Sequence, residues 1–478
     1  MNSTTTLTRP TTLNDVHARL NPTRVNRLER PTSVRDIQRL IRKARTNGQT
    51  LSISGGRHAM GGQQFGTDAL HIDMRSMNRI LDLDRERGEI EVETGIEWPA
   101  LMLGAQKLQQ GSDRKWGIRQ KQTGADRLSI GGAIASNIHG RGLEMKPFID
   151  DLVSFKLLDA DGGLKTCSRT ENPDLFRLVV GGYGLFGIVV SARLRLAPRV
   201  KVRRIVKPIA LDDLMAGFEA SIAAGATYGD FQFSIDPNSD EFLRHGIFSC
   251  YHPVETNEPV VKEVRRLTKV DWQRLIYLAH TDKAQAFEAY RSFYLSTSGQ
   301  LYWSDTHQLS LYLDDYHEEL DRKLGATCPG SEMITELYVP RDKLTDFMED
   351  VRSDFLRHNI DLIYGTIRLI QKDDESILAW AKQDYACVIF NLHTDHCPSG
   401  IEISRQAFQR LIDIALVHNG SYFLTYHRYA RKDQVLQAYP QFPAFLETKL
   451  QHDPEERFQS NWYRHYRKMF QAAQRSSS

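Results

Sequence analysis

Nine residues carry the densest chemistry in this chain: Ser54-Gly55-Gly56-Arg57-His58-Ala59-Met60-Gly61-Gly62, directly after the apolar run Leu51-Ser52-Ile53. Four glycines leave the backbone almost bare, free to take positive φ and to turn its N–H groups toward an anion such as a diphosphate. His58 is foreign to a plain phosphate cradle, but a neutral imidazole nitrogen is a competent nucleophile. A second cluster runs from Gln122 to Gly142, with five glycines and with Ser129, Ser136, Asn137 and His139. Its small residues at 131–136 let the main chain approach a flat or anionic ligand, whose edge the polar side chains can bond. The third cluster, Val180 to Val189, holds Gly181, Gly182, Gly184 and Gly187. It opens into a strand, whereas a Rossmann fingerprint needs strand, glycine turn and then helix.

Periodicity shows which elements must hold these loops. Ser33 caps a helix in which Val34, Ile37, Leu40, Ile41 and Ala44 fall at helical spacing. Strands are predicted at 50–53 and 71–74, a hairpin at 79–83 and 89–94, and a helix at 98–109. Strands at 152–158 and 164–167 flank the turn Asp159-Ala160-Asp161-Gly162-Gly163. Ile188, Val190, Ala192, Leu194 and Leu196 alternate on one face of a further strand. Beyond residue 201 strands are predicted at 232–235, 307–313, 333–339, 363–369 and 385–393, and amphipathic helices at 341–358 and 403–418. This is an α+β pattern, with an antiparallel sheet covered on one side by helices.

Bulk properties narrow function by exclusion. The 478 residues include 62 Lys plus Arg against 60 Asp plus Glu, a formal charge of +2, which is no electrostatic footprint for nucleic acid. Five scattered cysteines form no metal-binding spacing and fit a reducing compartment. No apolar run reaches the length of a membrane span and no signal peptide is evident, so a soluble, cytoplasmic protein is expected. His393-Thr394-Asp395-His396 puts two metal-ligand types on one strand face but offers no third, so no metal is expected. Tyr302, Trp303, Tyr312 and Tyr316 supply aromatic surface that could wall a cavity, although aromatic residues at this density are usually core.

The three loops in this order, SGGRHAMGG, SIGGAIASNIHG and GGYGLFGIVV, resemble the FAD-binding domain of the vanillyl-alcohol oxidase, or PCMH, type over residues 22–200. The nearest branch holds alditol oxidases, aldonolactone oxidases and decaprenylphosphoryl-ribose oxidase. The resemblance implies FAD as cofactor, with its pyrophosphate against Ser54, Gly55, Gly56, Arg57, His58, Ala59 and Met60. It lays the isoalloxazine and ribityl chain along Ser129, Gly132, Asn137, Ile138, His139 and Gly140, and brings the adenine end to Gly187, Ile188 and Val189. It further implies a covalent bond from His58 to the flavin 8α-methyl carbon. Doubly linked members use a cysteine in the second cluster; residues 122–142 have none, so a second bond would need a distant cysteine to fold in.

Residues 201–427 resemble the family's substrate-binding cap, and 428–478 a segment returning to the FAD domain. Glu336, in Thr335-Glu336-Leu337-Tyr338-Val339-Pro340, and Arg368, in Gly365-Thr366-Ile367-Arg368, match strands that enter the active site, and the two are expected on adjacent strands. His427 takes the place of a family lysine that stabilises the reduced flavin, with Arg428 beside it. The implied function is oxidation of a CH–OH group of a polyol, sugar or related alcohol. Oxygen or another acceptor reoxidises the flavin, and His427 and Glu336 both stand as candidate base. Two other readings remain open: a C=C reductase of the sterol-reductase type and a catalytically idle flavin-binding protein. The sequence does not specify the oligomeric state.

Overall fold

The computed structural model describes residues 10–261, 264–311, 313 and 315–471. Helix Val34–Thr46 forms as its periodicity demands: the Ser33 side chain accepts the Asp36 N–H, and Ile37, Leu40, Ile41 and Ala44 are buried. It packs on a three-stranded parallel sheet in which Arg27–Glu29 and Leu51–Ser54 flank Leu70–Asp73. The first glycine loop leaves the C-terminal end of Leu51–Ser54. That strand is bordered by the far end of the chain: Leu51 N–H donates to the Arg457 carbonyl at 2.6 Å, and Gln459 N–H to the Leu51 carbonyl at 2.9 Å. Asp453 sets this return by accepting the N–H groups of Arg457 and Phe458, each at 2.8 Å, and Phe458 enters the core under the helix.

A larger antiparallel sheet follows, in the order Leu164–Ser168, Leu152–Leu158, Ile188–Pro198, Glu89–Glu93, Ile80–Asp84, with Trp116–Ile118 joined to Ile188–Pro198. The long strand departs from simple alternation. Its register against Leu152–Leu158 shifts between Val189 and Ser191 and again between Arg193 and Leu194. A bulge residue reverses side-chain parity. Ile188 and Val190 therefore pack in the core of helix Val34–Thr46, and Ala192, Leu194 and Leu196 in the main core.

The second half is built on an eight-stranded antiparallel sheet. Its order is Leu301–Trp303, Lys201–Ala210, His245–Val254, Tyr228–Phe233, Leu362–Ile370, Tyr385–Asp395, Gly330–Pro340, Ser421–Tyr422. Strand alternation sorts its two faces. Helices Leu344–His358 and Pro398–Val417 cover one face, where Phe355 meets Phe390 and Ser404 bonds Thr394 at 2.7 Å. Glu332, Ile334 and Glu336 point the other way, into a cavity. Trp272, Leu275 and Tyr290, from helices Lys269–Thr281 and Lys283–Leu295, also line that cavity, so helices flank both faces instead of one.

Two expected strands fail for identifiable reasons. At 307–313 the chain makes a 3₁₀ turn, Thr306–Gln308, and Tyr312 lies outside the described residues. Gln308 is pulled inward, donating to the Ser304 carbonyl at 3.0 Å and accepting the Lys121 N–H at 3.0 Å. The segment Ser421 to Arg428, which resembles a family strand, is strand only through Tyr422, because the Thr425 carbonyl turns to accept from Gly61 N–H and the Gln63 amide. Among the described residues no helix is long and apolar enough to cross a membrane.

Candidate active site

All three glycine clusters open onto a single cavity of about 830 Å³, which Glu336 and Arg368 enter from the cap sheet. Arg57 holds a positive φ of 61° in the first loop. A Cβ on Gly55 would overlap the Ser129 hydroxyl, and one on Gly56 the Arg127 carbonyl oxygen, so contact with the second cluster requires glycine at both positions. Behind the loop, the Ser52 and Ser54 hydroxyls hold the two nitrogens of His71 at 2.8 Å each. The His58 ring meets His17 with Nδ1 to Nε2 at 2.9 Å. Burial outweighs the backbone carbonyl of Arg127 and lowers the His58 pKa to about 4, so the imidazole is neutral at pH 7. Ser54, Gly55, Gly56, Arg57, His58 and Ala59 line the cavity; Met60 instead lines a separate cleft with His427 and Arg428.

In the second cluster the Ser129 hydroxyl accepts the Gly132 N–H at 3.2 Å and starts the short helix Ile130–Ser136. Ser129, Gly132, Ile138 and His139 line the cavity, but Asn137 and Gly140 do not. Asn137, at φ 47°, is a structural knot: its amide donates to Asp373 and its side-chain oxygen accepts the Ile149 N–H, both at 2.9 Å. Gly140 packs against the Lys121 backbone. Lys121 itself is fully buried and bonds Asp126 at 3.0 Å and the Gln122 carbonyl at 2.7 Å, bracing the loop from within. Sequence reading missed it, since lysine counts as surface in any periodicity argument. In the third cluster Gly187, Ile188 and Val189 reach the cavity, with Gly187 at φ 146° against the Leu158 carbonyl. The bare backbone loops, the neutral His58 and the unbonded side-chain oxygens of Gln63 and Gln64 suit a ligand with a polar, anionic end and a flat ring system.

Glu336 enters the cavity from strand Gly330–Pro340 and is only 2% exposed. Its Oε1 accepts the Tyr338 hydroxyl at 3.1 Å and the Cys387 thiol at 2.7 Å, and makes a short contact with His139 Nε2. His139 Nδ1 lies 3.0 Å from the Gly140 carbonyl, which can only accept, so Nδ1 carries hydrogen. Burial opposes charge on Glu336, but His139, Cys387 and Arg368 together hold its pKa down to about 2. Glu336 is thus a carboxylate over the whole working pH range.

Arg368 also lines the cavity, and its Nε is buried with no hydrogen-bond partner. The expected adjacency of the Glu336 and Arg368 strands does not hold, because Tyr385–Asp395 runs between them. Cys387 on that middle strand pairs with Arg368 on one side and Tyr338 on the other. No ion pair links Glu336 to Arg368 among the described residues. Both look into the cavity, leaving room between them for a ligand.

His427 does not face the cavity. Strand period places Thr335 on the opposite face from Glu336, and His427 Nε2 bonds the Thr335 hydroxyl at 3.2 Å. Its ring stacks on Phe408 of the covering helix, centroids 4.6 Å apart. Arg428 donates to the Asn461 carbonyl at 3.1 Å and to Asn21 at 3.3 Å, tying the C-terminal segment down. Phe423, Thr425 and Tyr426 reach the cavity from this segment, and the Tyr426 hydroxyl addresses Glu336. The expectation of an extended strand hid them.

Burial alone lowers the His427 pKa to about 3, which makes a pH prediction. In the unfolded chain this histidine protonates near pH 6.5, and in the native state only near 3. Its stabilising contribution is complete above pH 6.5 and is lost as pH falls. Between pH 6.5 and pH 5 the loss is about 2 kcal/mol. His427→Gln should therefore lose that much less stability than the parent on going from pH 7 to pH 5, measured by urea unfolding. An unchanged pH dependence would show that the ring is solvated.

Residues 26–168 match a family model described as an FAD binding domain. These residues form a PCMH-type FAD-binding domain. It is 26% identical to mouse L-gulonolactone oxidase over 193 residues, 40% of this chain and 42% of that enzyme. It is 28% identical to an L-gulono-1,4-lactone dehydrogenase of Mycobacterium tuberculosis over 214 residues, 45% of this chain and 47% of the relative. The match to L-gulonolactone oxidase of Scyliorhinus torazame is weaker, at 20%, but spans 449 residues, 90% of this chain and 93% of the relative. The sharper matches thus span less than half the length of the relatives concerned. FAD is the cofactor of this PCMH-type domain. A distant cysteine does approach the PCMH site, with Cys387 Sγ 3.5 Å from His139 Nε2. Burial and Glu336 push its pKa well above the ordinary thiol range.

Proposed function

We propose that this flavoprotein oxidises a CH–OH group of a sugar, polyol or aldonolactone. The observation that carries the reading is the pairing of a buried carboxylate, Glu336, with an unbonded guanidinium N–H, Arg368 Nε, across one cavity reached by the flavin loops. A substrate with neighbouring hydroxyls satisfies both: one hydroxyl donates to Glu336, and another oxygen accepts from Arg368. An apolar alkene would leave both unsatisfied, at about 1–3 kcal/mol each or more, which disfavours C=C reduction. The relatives named for gulonolactone chemistry support the same substrate class.

Bound FAD supplies the two-electron acceptor for hydride leaving the carbinol carbon. Glu336 orients the hydroxyl and takes its proton as that hydride departs, leaving it the sole candidate base of the original two. His139, bonded behind Glu336, keeps the carboxylate ionised before turnover. Arg368 fixes the adjacent oxygen, and Tyr426 closes the site beside Glu336. Residues 22–200 and 428–478 form the flavin-holding unit and 201–427 the cap. All five cysteines are free, which suits the cytoplasm.

His58, neutral and placed in the loop, is the proposed covalent anchor. Acid precipitation of the holoprotein should leave the pellet yellow, and His58→Ala should release the colour to the supernatant. A colourless wild-type pellet would rule the bond out. The reaction itself is tested by anaerobic mixing with aldonolactones, alditols and aldoses while the flavin band is watched. Bleaching by at least one of them is expected; bleaching by NADPH alone would favour the reductase reading, and none at all an idle flavoprotein.

A further inference from the structure

Well along the cavity from Glu336, three histidines gather around a second buried carboxylate. Glu332 lies four residues before Glu336 on the same strand and face, about 13 Å away at strand rise. Its Oε1 is 3.1 Å from His280 Nε2 and 3.4 Å from His393 Nδ1, and its Oε2 is 3.7 Å from His317 Nε2. Side-chain exposure is 5% for His280, 4% for Glu332, 5% for His317 and 18% for His393. These groups come from four separate elements: helix Lys269–Thr281, helix Tyr316–Leu324, and strands Gly330–Pro340 and Tyr385–Asp395.

We propose that His280, Glu332, His393 and His317 form a binding site for a divalent first-row transition ion, at the end of the cavity remote from Glu336. Ligand atoms sharing one tetrahedral or octahedral ion, at bonds of 2.0–2.2 Å, stand about 3.0–3.6 Å apart. The His280 and His393 separations from Glu332 match that spacing, and their donor atoms and that of Glu332 all lie within 4.8 Å of one another. His317 is the independent sign of a missing partner: neither ring nitrogen makes a hydrogen bond, although the side chain is buried. An imidazole pays no such desolvation when a cation takes its lone pair. Three imidazoles and one carboxylate suit zinc, cobalt or iron(II) better than calcium or magnesium.

Supporting groups are also in place. Asp395 Oδ1 lies 3.5 Å from His393 Nε2, on the side away from Glu332, and the Tyr316 hydroxyl donates to Glu332 Oε2. Such outer contacts orient metal-bound imidazoles and carboxylates. A Cβ at residue 330 would strike the His393 ring, so Gly330 makes the room that ring needs. The inference is independent of the proposed flavin chemistry.

The test uses the full-length flavoprotein, stripped with a chelator and then given Zn²⁺ or Co²⁺ alone. One ion per chain is expected after desalting. With Co²⁺, ligand-field bands to the red of the flavin should appear without sulfur-to-cobalt charge transfer. Glu332→Gln and His393→Ala should each weaken retention at least tenfold with the flavin still bound. The proposal is overturned if the wild-type chain retains no stoichiometric ion, or if both variants hold the ion as well as the parent. Thiolate charge-transfer bands would also overturn it, by placing the ion at Cys328 and Cys397, which contact each other near Asp395. Where a variant fails to fold, the cobalt spectrum of the parent decides.

Discussion

Glu336→Gln should slow anaerobic flavin reduction by about 10²- to 10⁴-fold, the span usual for loss of a positioned proton acceptor. The substitution keeps shape and volume and removes one charge. Glutamine can still accept from the Tyr338 hydroxyl and the Cys387 thiol, so the cap sheet has no reason to rearrange. It can take no proton from a substrate hydroxyl. It also withdraws the carboxylate that faces the buried His139 ring. FAD content should be unchanged, because Glu336 stands on the cap sheet and not on the glycine loops. Stopped-flow traces at saturating substrate separate this loss in rate from weaker binding. A rate within threefold of the parent would remove Glu336 from the chemistry.

Gly56→Ala should yield a protein purified largely without FAD. The added methyl would overlap the Arg127 carbonyl oxygen, which is main chain and has no rotamer by which to withdraw. Relief requires the first loop and the second cluster to part, and their contact is what brings two of the three ligand loops onto one cavity. The Ser54 hydroxyl bond to His71 and the His58 contact with His17 both hold the same loop, so the displacement cannot be absorbed at one end. The flavin-to-protein absorbance ratio reads the outcome directly. Gly48→Ala is the control: it sits at positive φ, 61°, but its Cβ would meet nothing within 4 Å, so it should cost modest stability and no flavin. Full FAD occupancy in Gly56→Ala would mean that the loop is not packed as described.

Much of the first half was legible because its constraints are local. Ser33 caps its helix through a bond three residues away, and a glycine-rich loop announces itself by composition. Strand Ile188–Pro198 was legible in extent but not in facing, since nothing in an alternating run marks the bulge after Val189. The cap was harder to read. Glu336 and Arg368 were found by their strand patterns, yet the strand between them could not be foreseen, because Tyr385–Asp395 lies beyond both in the chain and inserts between their strands. His427 shows the sharpest limit. Strand parity is exact only while the strand continues, and a strand that ends at Tyr422 brings Thr425 and Tyr426 to the cavity and sends His427 to the far face.

The amino-acid sequence by itself marked three glycine-rich segments as ligand loops, because bare backbone and their order along the chain are properties of the sequence alone. Only the tertiary structure decided which polar groups share a site. Glu336 with His139 and Cys387, and Glu332 with His280, His317 and His393, are each assembled from segments tens to hundreds of residues apart. The physical reason is burial: charges and imidazoles removed from water must find one another, and which ones meet is set by how the sheet and its helices close.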